Sequence, residues 1–275
     1  MNPFSDNLAL LRSKQNAIRQ IIAGEYREIV SSSRGTLQTP PTPDEIAKLF
    51  SSLGEDPARF PRFCQAFCEA YPEEYRGATP FSDPDTEHEV PERIAYMQNA
   101  FSDRAYRVFS ALCENPRAIY YPGFREVAEE VYAGRASHAI LPVANSSDGQ
   151  LLSFRRLILR YDLRIIAVTD VATGDEQSMR FALLHKGIPA WEEPPSVLDM
   201  TAVLGDELSP GAFLSACETL GAALLSVDSH PLESEEEVSA LDLQFDMTRA
   251  DWSALYLYLE GSHVRYETVG CYTII

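Results

Sequence analysis

The feature that most constrains this chain is the alternation of short apolar runs with amphipathic segments between residues 92 and 190. "RIAYMQ", "AIYYP", "HAILPV" and "LRIIAVTDV" are brief and rich in β-branched or aromatic residues, so each reads as a strand. Between them, "AFSDRAYRVFSALCE", "FREVAEEVYAG" and "LLSFRRLILRYD" place apolar side chains at helical intervals. In the second of these, Phe124, Val127, Ala128 and Val131 share one side. "SMRFALLHKG" supplies a further strand. This alternation predicts an α/β layer built on a mainly parallel sheet.

The flanking segments follow other rules. Residues 1–76 read as helical, with Leu8, Leu11, Ile18, Ile21 and Ile22 near one face of the first helix. Thr42 and Pro43 open a second helix as cap and first residue, and "DPARFPRFCQAFCEAY" forms a third. "RGATPFSDPDTEHEVPE" is poor in apolar residues and rich in Pro and Asp, which marks a linker. After a second linker, "WEEPPSVLD", residues 197–275 read as strand, helix, strand, strand, helix, strand. Ser209 is the expected N-cap and Pro210 the first residue of the first helix there. That order is the split βαβ arrangement of ferredoxin-like folds. The expected class is α+β, in three parts: a helical region over 1–76, one α/β lobe over 92–190, and a ferredoxin-like domain over 197–275.

Charge narrows the partners. Twenty-three basic against 41 acidic residues leave a net charge of −18, so nucleic acid is not an expected partner. No apolar run reaches the ~18 residues of a membrane span, and Met1–Tyr26 lacks the order of a signal peptide, so a cytoplasmic location is expected. The five cysteines are too scattered for a disulfide framework. Cys64 and Cys68 sit one helical turn apart without further ligands nearby and read as buried thiols, and His88 reads as a solvated loop residue. No metal set and no cofactor emerges.

One stretch changes character. "HAILPVANSSDGQL" runs from apolar strand into Asn145, Ser146, Ser147 and Asp148. Ligands in α/β sheets gather at the carboxyl ends of strands, where these residues lie, although Asn, Ser, Asp and Gly also make plain turns.

Four stretches, in the same order, resemble the prephenate dehydratase family with its C-terminal ACT regulatory domain. "IAYMQNAFSDRAYRVF" is similar to the family's opening strand and helix, with Phe101 and Ser102 kept. "AGRASHAILPVANSSDGQL" is similar to its Pro-Ile-Glu-Asn-Ser strand end, with Pro142, Asn145, Ser146 and Gly149 kept and Ala144 in place of Glu. "DEQSMRFALL" is similar to its Thr-Arg-Phe motif, with Arg180 and Phe181 kept and Met179 in place of Thr. "PGAFLSA", "VDSHP" and "VGCYTII" resemble the ACT Gly-Ala-Leu loop, Glu-Ser-Arg-Pro segment and closing strand. Together these cover residues 92–275.

The resemblance implies conversion of prephenate to phenylpyruvate, water and carbon dioxide in phenylalanine biosynthesis. Asn145, Ser146, Ser102 and Phe181 would contact substrate, and Arg180 would grip a carboxylate or else pair with one of the many acids. The family's Thr is the proton donor, and a thioether cannot replace it. Ser178 is the available hydroxyl, although strand alternation turns it away from the side of Met179. Only residues 150–177 separate the second and third motifs, too few for the family's second lobe. The expectation is a shortened and catalytically impaired enzyme binding prephenate or a related carboxylate-bearing molecule. The alternative is a regulatory protein sensing L-phenylalanine or another aromatic amino acid through Gly211, Ala212, Phe213, Leu214, Asp228, Ser229 and His230. Phe213 and Leu214 either line that site or belong to the core. ACT pairing implies a homodimer or tetramer. The first helices resemble the layout of a chorismate mutase domain, for which Arg12, Lys14, Arg19 and Arg27 are either ligand groups or a solvated face.

Overall fold

The computed structural model describes residues 3–33, 41–75, 80–83, 92–146, 149–174, 177–205, 208–231 and 239–275. Most of the first linker, His88 included, and Ser147 and Asp148 lie outside them. The helices are α1 (Pro3–Ser33), α2 (Pro43–Ser52), α3 (Phe60–Ala70), α4 (Pro72–Tyr75), α5 (Ala100–Phe109), α6 (Phe124–Tyr132), α7 (Leu152–Arg160), α8 (Pro210–Thr219) and α9 (Trp252–Gly261). The strands are β1 (Arg93–Tyr96), β2 (Arg117–Tyr120), β3 (His138–Asn145), β4 (Gly149–Gln150), β5 (Arg164–Gly174), β6 (Gln177–His185), β7 (Val197–Val203), β8 (Ala223–Pro231), β9 (Ser239–Asp246) and β10 (Arg265–Ile274). Among the described residues no helix is long and apolar enough to cross a membrane.

The chain gathers into two compact units that cut across the boundaries expected from the sequence. One holds Met1–Pro80, Gly205–Ala222 and Ala250–Val264; the other holds Phe81–Leu204, Ala223–Arg249 and Arg265–Ile275. The helices of the ferredoxin-like segment thus group with the N-terminal helices, and its strands group with the α/β lobe. Strand pairing is the physical reason, because a continuous sheet binds its strands together whatever their separation in the chain.

In the helical unit, α2 starts at a capping box: Thr42 Oγ1 accepts from the Glu45 N–H at 3.3 Å, and the Glu45 carboxylate accepts from the Thr42 N–H at 2.9 Å. Aromatic side chains build the core. Phe63 meets Tyr26 edge-on at 5.2 Å and Phe67 at 5.2 Å. Cys64 is buried among them, and burial pushes its thiol and that of Cys68 up, so both are inert. The first helix departs from expectation. Ile18 and Ile21 are 56% and 62% exposed, and among the described side chains of α1 the buried ones are Tyr26 and Val30. Arg27 pairs with Glu69 at 2.6 Å and Lys14 is exposed; the side chains of Leu8, Leu11, Arg12 and Arg19 lie outside the described set.

The other unit carries one ten-stranded sheet in the order β2-β1-β3-β6-β5-β10-β7-β9-β8, with β4 paired to β3. β1 runs parallel to β2 and β3, as the helical crossovers require. β6 is antiparallel to both β3 and β5, so the lobe's sheet is mixed rather than mainly parallel. Only two residues separate Gly174 from Gln177, which permits a hairpin and no crossover. The order β10-β7-β9-β8 is the ferredoxin-like 4-1-3-2 arrangement. On one sheet face, Val127 and Val131 of α6 and Ile158 of α7 pack on Ala139, Leu141 and Leu184. On the other, Ala105 and Phe109 of α5 pack on Ile94, Ile140 and Phe181.

The two strand sets join where β10 runs parallel to β5, with Gly270 opposite Ile165. A Cβ on Gly270 would stand 2.5 Å from the Ile165 carbonyl oxygen and 2.6 Å from its Cβ. Backbone approach this close excludes any side chain. Gly270→Ala is therefore expected to lower unfolding free energy by ~1–3 kcal/mol through overpacking, measured by urea denaturation.

Candidate functional site

The polar stretch ends β3 as expected, but its hydroxyl is already engaged. Ser146 Oγ accepts from the Ser178 N–H at 3.0 Å, and the Ser146 N–H donates to the Ser178 carbonyl at 2.9 Å. The two serines therefore staple the end of β3 to the start of β6. Asn145, half-buried, faces Met179 across the same pairing.

Alternation along β6 then sorts the remaining residues. Met179 and Phe181 point into the α5-side core, where Phe181 is 1% exposed. Ser178 and Arg180 share the opposite face. Ser102, at the start of α5, is buried and accepts a hydrogen bond from Asn99 Nδ2 at 2.9 Å, inside the helix cap. Phe181 and Ser102 thus lie on the side of the sheet away from Arg180, as parts of the core and of a cap. The sequence reading grouped them with Arg180 by motif, without the face each occupies.

Arg180 donates twice to Asp170, directly across on β5: Nε to Oδ1 at 2.9 Å and a terminal nitrogen to Oδ2 at 2.9 Å. The Arg180 hydrogen bond is the main cause holding the Asp170 carboxyl below its ordinary 3.8. Beside this pair lies a cavity of about 50 Å³ lined by Arg180, Arg155, Asp199, Gln244 and Tyr272 together with aliphatic side chains. That volume suits a few waters at ~10–15 Å³ each, and no ring fits it unopened.

Arg155 is the cavity-lining residue that sequence reasoning missed. It projects from α7 and its side chain is only 10% exposed. Its guanidinium reaches Asp199 at 2.6 Å, Asp242 at 3.1 Å and Thr201 Oγ1 at 3.0 Å, while its Nε is buried without a partner. Gln244 Nε2 donates to Asp199 at 2.6 Å and to the Tyr272 hydroxyl at 3.2 Å, so the Tyr272 proton is directed elsewhere. Thr201 donates to Asp242 at 2.6 Å. A signal was available, since Arg155 stands three residues before Ile158 on the inward stripe of α7, where a solvated cation does not belong.

Electrostatics decide what this site can hold. Two guanidiniums, Arg155 and Arg180, face three carboxylates, Asp170, Asp199 and Asp242, for a net charge of −1 if all ionise. Burial outweighs Arg155 at Asp199 and raises its pKa.

The residues expected at a regulatory site divide between the units. Gly211 and Ala212 are exposed in the first turn of α8, behind the Ser209 cap that accepts from the Ala212 N–H at 3.3 Å. Phe213 is fully buried with its ring 6.4 Å from Tyr258, so the core role holds for it, and Leu214 is half-buried. Asp228, Ser229 and His230 are exposed on β8, where His230 Nδ1 lies 3.5 Å from Asp242. In the helical unit, a cavity of about 310 Å³ is lined by Glu69 and Asp251 with no basic side chain among its described residues, unsuited to the dicarboxylate of a mutase. The sequence offered no metal-ligand spacing, yet Glu92, Cys113 and His138 bring donor atoms within 4.8 Å of one another.

A family model, prephenate dehydratase, matches residues 95–173. Over that segment, less than a third of the chain, the sequence is similar to the prephenate dehydratase family. The match takes in Ser102, Asn145 and Ser146 and stops before Ser178 and Arg180. Solved structures agree on the fold. A prephenate dehydratase from Streptococcus mutans has 21% identity and a TM-score of 0.53, over 66% of this chain and 98% of that one. GqqA, described as a novel type of quorum quenching acylase, has 21% identity and a TM-score of 0.51, over 66% of this chain and 95% of that one. A prephenate dehydratase from Staphylococcus aureus has 12% identity and a TM-score of 0.50, over 66% and 100%. No curated protein sequence matches the chain.

The buried cluster makes a prediction for this prephenate dehydratase-like lobe. Arg155→Met strands Asp199 and Asp242 and is expected to cost ~3–5 kcal/mol at neutral pH. Because Asp199 folds with a raised pKa, its stabilising share is full below 3.8 and is lost as pH rises through the folded value. Removing Arg155 raises that value further, so the variant's deficit shrinks as pH falls, measured by urea denaturation between pH 7 and pH 4.

Proposed function

We propose that the protein is a prephenate dehydratase-like binder of a carboxylate-bearing ring, with an impaired dehydration step. The observation that carries this reading is Arg180, fastened bidentately to Asp170 next to Met179 in the core. Dehydration and decarboxylation of prephenate require a grip on carboxylate and a proton for the departing hydroxide, which leaves as water. Here the guanidinium is taken, and the position of the family's donor holds a thioether.

Two further features support impairment. The Arg155–Arg180 face carries no excess positive charge for a dianion. Between Asn145 and Gln177 the described elements are β4, α7 and β5 alone, which leaves a cleft with one wall. A one-walled cleft excludes water poorly, and loss of a positioned acid costs ~10²–10⁴ in rate. Ser178, on the face of Arg180, is the hydroxyl in line to substitute.

Purified protein incubated with prephenate is expected to form phenylpyruvate at least ~10²-fold below ordinary rates of ~1–10³ s⁻¹. Turnover within that ordinary range defeats the impaired reading. Asp170→Asn releases Arg180 and is expected to tighten prephenate binding about tenfold by calorimetry, since a charge-assisted carboxylate bond is worth ~1.5–3 kcal/mol. Affinity unchanged in Asp170→Asn and in Arg180→Gln removes Arg180 from the site.

The 4-1-3-2 strand order and the exposed Gly211 and Ala212 favour a second reading, an ACT-type module that senses an aromatic amino acid. β8 ends the sheet and exposes Leu224, Leu225 and Val227, which suits pairing with a second copy in a dimer or tetramer. Calorimetry with phenylalanine, tyrosine and tryptophan tests it; absence of heat at millimolar ligand counts against it.

A further inference from the structure

At the end of the sheet away from Asn145 and Ser146, three donors of mixed type converge, with a fourth, His185, beside one of them. Glu92 immediately precedes β1, Cys113 follows the turn after α5, His138 opens β3 and His185 closes β6. His138 and His185 are direct cross-strand partners, with ring centres 5.2 Å apart. Cys113 Sγ lies 3.9 Å from His138 Nδ1, and the donor atoms of Glu92, Cys113 and His138 all fall within 4.8 Å of one another. The Asn145 tip is seven residues further along β3, roughly 23 Å at ~3.3 Å per residue, so this cluster is separate from the cavity of Arg155 and Arg180.

We propose that Glu92, Cys113, His138 and His185 form a structural zinc site. One thiolate, two imidazoles and a carboxylate are the borderline donor set that Zn²⁺ takes, with four protein ligands closing a tetrahedron. A tetrahedral ion with bonds of ~2.0–2.3 Å places its donors ~3.3–3.8 Å apart. Glu92, Cys113 and His138 are within a small side-chain rotation of that figure, with His138 Nδ1 leaving its 2.8 Å contact to Ser137 Oγ, and the His185 ring turns in from 5.2 Å away.

His185 is prepared for the role. Its Nδ1 lies 3.2 Å from the Gly187 carbonyl, which only accepts, so Nδ1 holds the proton and Nε2 keeps its lone pair. A second ring nitrogen anchored on a carbonyl is the usual support of a ligating imidazole. Cys113 and both histidines are half-buried and Glu92 is exposed, which leaves an entry path for the ion. The ion would clamp β1, β3, β6 and the α5–β2 connection at one end.

The test titrates the full chain, stripped with chelator, with Zn²⁺ and in parallel with Co²⁺. One ion per chain is expected, together with a thiolate-to-cobalt charge-transfer band and a higher melting temperature. Cys113→Ser should abolish the band. Glu92→Gln, a surface change that leaves packing intact, should weaken Zn²⁺ at least ~10-fold. Cys68→Ser should change neither. Failure of the full chain to bind stoichiometric Zn²⁺, or binding unaltered in Cys113→Ser and Glu92→Gln, overturns the site.

Discussion

The parallel pairing of β5 with β10 is the contact on which the strand-bearing unit depends. It converts two strand sets, one from an α/β lobe and one of ferredoxin-like order, into a single sheet. Gly270 makes it possible, because the Ile165 backbone occupies the space where any Cβ would stand. The chain's last strand thereby runs beside a lobe strand a hundred residues earlier, and the Thr169 hydroxyl donates to the terminal Ile275 carbonyl at 3.0 Å across that seam. Tyr272 and Asp199 reach the cavity of Arg155 and Arg180 only because the seam closes.

Strand alternation then decides chemistry. Along β6, successive residues go to opposite faces, so Met179 and Phe181 serve the core while Ser178 and Arg180 turn toward the cavity. Met179 therefore packs against the core under α5, on the sheet face opposite the Arg180 guanidinium. The polar groups that do meet are Arg155, Arg180 and their three aspartates, a set whose charge is balanced internally and slightly negative. Such a cluster holds α7 against β7 and β9 as firmly as it limits any anion. Removing Arg155 leaves Asp199 and Asp242 to bear the cost of unpaired buried charge.

Much of this was legible beforehand. The strands and helices of residues 92–275 fall where apolar periodicity places them, and the caps at Thr42 and Ser209 form as their sequences indicate. Asn145 and Ser146 do lie at a strand tip. Less legible was α1, whose apolar spacing at Ile18 and Ile21 meets solvent, since periodicity records a face and says nothing of what covers it. The direction of β6 escaped for a different reason: the same apolar run serves a parallel or an antiparallel strand, and a two-residue connection settles which.

Local sequence by itself determined the elements, their order, and the ferredoxin-like succession after residue 197, because these rest on periodicity, capping and turn chemistry within a few residues. Tertiary structure alone decided that Arg155 meets Asp199 and Asp242, that Arg180 is held by Asp170, and that Glu92, Cys113, His138 and His185 share one corner. Each of those meetings joins residues 10 to 93 positions apart, and no local rule carries information across such a distance until strands are paired and faces assigned.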